Sequence, residues 1–92
     1  MVTPFMASPD MLEERLRQLA DKLREHHDPQ YADALLIEVD HGEPTIGMEN
    51  LLDNLYDDEV TLAPALAAEI VELSRLAGAA ERKSERIAER FL

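Results

Sequence analysis

Ninety-two residues make one small domain, 1–92, and at this size folding buries only about 60–65% of the surface the unfolded chain exposes. The absence of cysteine excludes disulfides, thiolate metal sites and a thiol nucleophile, while 46% hydrophobic against 32% charged residues is ordinary for a folded chain. A net charge of −11 argues against nucleic acid as a direct partner, because phosphates would be repelled.

Ser8-Pro9-Asp10 supplies an N-cap, a proline at the first helical position and an early acid. Met11, Leu12, Leu16, Leu19, Ala20 and Leu23 then recur at helical spacing, which predicts a first helix over 9–26, closed by His26 and His27. Asp28-Pro29 repeats the signal, and Tyr31, Ala34, Leu35, Ile37 and Val39 carry a second helix over 29–40, with Gly42 as its C′ residue. Beyond Glu43-Pro44, a third helix buries Ile46, Met48, Leu51, Leu52, Leu55 and Tyr56 and ends near Asp58. Thr61 and Pro64 open a fourth, with Leu66, Ile70, Leu73 and Leu76 inward until Gly78 stops it. A last amphipathic stretch, 79–91, buries Ile87 and Phe91. The one candidate strand, Leu35 to Val39, lies inside a helical pattern and has no partner. The expected fold is all-α, a compact bundle of four to five short helices. With no leader-like N-terminus and no apolar run near the ~20 residues of a membrane span, the expected setting is cytoplasmic, without membrane contact.

The charge is unevenly distributed. From Tyr31 to Val60 there are nine carboxylates (Asp33, Glu38, Asp40, Glu43, Glu49, Asp53, Asp57, Asp58, Glu59) and no Lys or Arg. The flanks are nearly neutral, with six acids against four bases before this stretch and five against five after it. On the third helix Glu49, Asp53 and Asp57 stand at i, i+4 and i+8, on one face opposite the apolar stripe. Like charges at that spacing cost about 0.2–0.5 kcal/mol per pair. Asp57, Asp58 and Glu59 also crowd the helix C-terminus, where the macrodipole favours cations, at about 0.3–1 kcal/mol each. A solvated face kept for solubility is the plain explanation. The absence of any basic residue from the whole stretch points instead to a cationic partner, because local rules are broken most often where a protein functions.

Catalytic and metal chemistries find little purchase. His41-Gly42-Glu43 matches the first half of a zinc deaminase signature, but the cysteines that complete that site are missing. Asp53 to Asp58 lacks the glycine and the position-twelve glutamate of a calcium loop. Carrier proteins are also small, acidic and helical, yet Met48-Glu49-Asn50-Leu51 offers no serine for a prosthetic arm, and Ser8, Ser74 and Ser84 are wrongly placed. No nucleophile–base pair or glycine-rich phosphate loop is visible. The expectation is a protein with no enzymatic activity, no cofactor and no metal. An acidic helix of regularly spaced carboxylates suits a basic cleft of the kind nucleases present.

Asp40-His41-Gly42-Glu43-Pro44, followed by Ile46-Gly47-Met48-Glu49-Asn50-Leu51 and Leu55-Tyr56-Asp57, resembles the central motif of the MafI family of immunity proteins, small helical antidotes of bacterial polymorphic toxin systems. The resemblance covers roughly residues 35–66 and departs at Gly47, where the family more often has alanine. It implies binding and neutralisation of a cognate toxin domain, with Gly42-Glu43, Glu49 and Tyr56-Asp57 as the matched positions. Combined with the charge pattern, the expected partner is a basic toxin domain. The expected interface core is Glu43, Glu49, Asp53, Tyr56 and Asp57, with Tyr56 either a hot-spot anchor or a core aromatic. The alternative is a helical adaptor or self-associating module that pairs through Ile87 and Phe91.

Overall fold

The computed structural model describes residues 9–92 as five helices joined by short loops. They are α1 (Pro9–His26), α2 (Pro29–Asp40), α3 (Pro44–Asp57), α4 (Pro64–Leu76) and α5 (Glu81–Phe91). The fold is all-α, as the periodicity predicts, with helix starts where the prolines set them; the Ser8 cap lies outside the described residues. Proline's fixed φ suits a first helical turn, and its missing N–H is not needed there. Asp28 caps α2 by accepting from the Gln30 amide at 3.0 Å. Gly42 (φ +73°) and Gly78 (φ +79°) follow α2 and α4 in the left-handed conformation that glycine adopts without strain.

α1, α2 and α3 pack as successive antiparallel neighbours, and the α4–α5 hairpin closes on them, α4 against α1 and α5 against α3. One core joins all five helices: Leu16, Leu19 and Leu23 of α1, Leu35 of α2, Met48, Leu51, Leu52 and Leu55 of α3, Ile70 and Leu73 of α4, and Ile87 of α5. Where α4 crosses α5, the buried Ser74 hydroxyl donates to the Val71 carbonyl at 2.7 Å and meets the Ser84 hydroxyl at 2.6 Å, so neither polar group is left unsatisfied. Neither hydroxyl is accessible from solvent.

Ile46 and Leu76, expected in the core, point outward, as does Ile37 of the α2 apolar set. Ile37, Ile46 and Leu76 are 55%, 44% and 53% exposed, and Met11 at the start of α1 is also exposed. Ile37 lies two residues from both Leu35 and Val39, which is a rotation of about 200° and places it on the far side of the helix. Ile46 stands in the same relation to Met48, and Leu76 falls beyond the edge of the stripe set by Ala67, Ile70 and Ser74.

Gly47 lets α3 approach α2 closely. A Cβ there would stand 3.1 Å from Glu38 Cβ, 3.1 Å from Leu35 Cδ1 and 3.3 Å from the Leu35 carbonyl oxygen. A side chain at this position would therefore crowd α2.

Candidate functional site

The face of α3 that carries Glu49, Asp53 and Tyr56 is covered by α5. Lys83, Arg86 and Arg90 fall at i, i+3 and i+7 on α5 and meet that face directly. Lys83 Nζ donates to Asp53 Oδ2 at 2.8 Å, and Arg86 Nη2 donates to Asp53 Oδ1 at 3.0 Å. The hydrogen bond to Asp53 holds the Lys83 ammonium above its usual range. The Tyr56 ring lies beneath two guanidinium groups, with centroid distances of 4.2 Å to Arg86 and 3.9 Å to Arg90, and Arg90 also donates to the Tyr56 carbonyl at 3.1 Å. Glu49 Oε2 accepts from the Ala80 amide at 2.8 Å, so a carboxylate of α3 caps the positive end of α5, where an anion is favoured.

This corrects the sequence expectation of an uncompensated face: its cations come from about thirty residues further along the chain. Glu49, Asp53 and Tyr56 are brought together, each half-buried and each partnered by α5 or its N-cap. Tyr56 packs partly against the core and carries the two guanidinium groups on its ring. Glu43 and Asp57 stand apart from this cluster, at the N-cap and the last residue of α3; both are exposed.

The other carboxylates of the base-free stretch divide in a similar way. Arg24 of α1 pairs with Asp33, and Arg17 with Asp40 at 2.7 Å. Asp58 Oδ2 accepts from the Tyr31 hydroxyl at 2.6 Å, and that hydrogen bond, with burial of the ring, pushes the Tyr31 phenol up to about 12. The side-chain carboxylates of Glu38, Glu43, Asp57 and Glu59 have no hydrogen-bond or ion-pair partner among the described residues, and Glu59 holds a strained φ of +53°. Of the chain's nine Lys and Arg residues, all but Arg82 are engaged within the molecule. The unmatched charge at the surface is therefore negative.

A groove of about 570 Å³ opens between α2 and α3. Gln30, Tyr31, Asp33, Ala34 and Ile37 line it from α2, with Asn54 and Asp58 opposite. No Lys or Arg lines it. Sequence reasoning missed this groove because it counted Ile37 with the apolar residues that carry α2 and did not set it apart from Leu35 and Val39. Two signals pointed to it: the two-residue offset of Ile37 from Leu35 and Val39, and the polar Asn54 facing it.

Among the described residues no group of three or more His, Asp or Glu is arranged to hold a metal ion, and no helix is long and apolar enough to cross a membrane. His41 ends α2 with Nδ1 2.7 Å from the Ile37 carbonyl, and it stands in the turn that precedes Gly42. No family model, curated protein or solved structure matches the chain.

Proposed function

We propose that this protein is a non-enzymatic immunity protein that binds a basic bacterial toxin domain and neutralises it stoichiometrically. The observation that carries the reading is the charge imbalance left after folding. Nearly every base is engaged internally, while Glu43 and Asp57, with Glu38 and Glu59, keep carboxylates that no group among the described residues satisfies. Such a surface attracts a cationic partner over several ångströms and accelerates encounter. The likeness of residues 40–57 to the MafI motif supports a toxin as that partner. Within this reading Glu49, Asp53 and Tyr56 hold α5 in place, and contact with the partner falls to the exposed carboxylates.

The alternative, self-association through Ile87 and Phe91, finds no support in the packing. Ile87 is fully buried in the core and Phe91 packs partly against it. The test is a titration of the toxin domain encoded immediately upstream with the purified protein. Complete inhibition at a 1:1 ratio is expected, and undiminished toxin activity at several-fold excess would overturn the proposal.

A further inference from the structure

We infer that the α2–α3 groove is the docking site for a basic, partly apolar segment of the partner protein; the inference rests on the immunity reading and locates its contact. Exposed Ile37 gives the groove an apolar point that folding leaves unburied, although most large apolar residues of this chain are in the core. Asp33 on the α2 wall and Asp58 on the α3 side supply the charge, and Gln30 and Asn54 supply neutral hydrogen-bonding groups. Asp58 uses one oxygen toward Tyr31 and keeps the other free. Asp33 is paired with Arg24, but both side chains are largely exposed, and an exposed pair of this kind exchanges readily for another cation.

The occupant follows from charge complementarity. An apolar side chain would seat on Ile37 and Ala34, with Lys or Arg on either side of it reaching Asp33 and Asp58. A second copy of this chain is a poor fit, since it brings a net charge of −11 of its own. The acidic face under α5 is likewise occupied by Lys83, Arg86 and Arg90. The groove combines the unshared oxygen of Asp58 and the exchangeable Asp33 pair with exposed apolar area.

The experiment titrates the isotopically labelled protein with a short amphipathic peptide of leucine and lysine, and with a lysine–serine control of equal charge. Amide shifts should centre on Gln30, Asp33, Ala34, Ile37, Asn54 and Asp58, and the leucine peptide should bind about tenfold more tightly than the control. Ile37→Asn should remove that advantage, and Asn54→Lys should weaken both peptides; both positions are exposed, so the fold is untouched. Equal affinity of the two peptides, or shifts centred elsewhere, would overturn the assignment. So would groove shifts produced by raising the protein concentration alone or by deleting residues 1–8, which would give the groove to a second copy or to the chain's own N-terminal segment. Toxin inhibition by the same variants separates the two claims. A variant that loses the peptide yet still inhibits toxin removes the groove and keeps the immunity reading. A wild type that binds peptide in the groove and never inhibits toxin removes the immunity reading and leaves the groove as a basic-segment site.

Discussion

Asp53 of α3 and Arg86 of α5, thirty-three residues apart in sequence, are joined at 3.0 Å, and Lys83 holds the same carboxylate from its other oxygen. This reverses the expected effect of changing the face. Asp53→Lys would set a third cation against Lys83 and Arg86. Two half-exposed attractions would become repulsions, at a cost of roughly 1–3 kcal/mol. Asp57, one turn further on, is exposed and sits at the negative end of the helix dipole, so Asp57→Lys should stabilise by a few tenths to about 1 kcal/mol. Chemical denaturation of the two single variants should therefore give shifts of opposite sign. Equal signs would mean that the α5 clasp contributes nothing in solution.

Gly47→Ala separates helix propensity from packing. Propensity alone favours alanine by about 1 kcal/mol. The new methyl would press on Glu38 Cβ and buried Leu35, and Glu38 Cβ cannot yield unless α2 itself moves. The expected outcome is a net loss of about 1 kcal/mol in thermal unfolding, from overpacking that outweighs propensity. A gain in stability would show that α2 and α3 can separate at little cost.

The Tyr31–Asp58 hydrogen bond has a pH signature. A phenol raised from its ordinary 10 to about 12 is held protonated by the folded state. Its contribution is therefore complete below pH 10 and disappears as pH rises through 12. Stability measured across this window should fall more steeply for the wild type than for Tyr31→Phe, and the variant should be less stable by about 1 kcal/mol at neutral pH. Parallel curves would show that the hydroxyl does not hold Asp58.

The helix boundaries were legible in the sequence because prolines 9, 29, 44 and 64 and glycines 42 and 78 act locally, through φ alone. Radial position was less so. Apolar spacing that admits Ile37 and Ile46 to a stripe ignores the rotation of two helix steps, and only contact with α1 or α3 decides which side is buried. The charge pattern was read correctly along the chain and incompletely in space: a stretch without bases can still be neutralised by Lys83, Arg86 and Arg90 once α5 folds back. Nothing local to 31–60 carries that information.

The central claim, that the acidic α2–α3 hairpin captures a basic toxin domain, is tested most directly by the kinetics of complex formation with that domain. Wild type should be compared with the Ile37→Asn/Asn54→Lys double variant, with folding stability measured alongside. The account predicts an on-rate for the wild type that falls steeply as salt passes physiological strength, where the Debye length is about 8 Å. It also predicts that the double variant will be as stable as the wild type and bind roughly 100-fold more weakly. A salt-insensitive on-rate would contradict capture by the acidic surface, and wild-type affinity in a folded double variant would contradict its location in the groove.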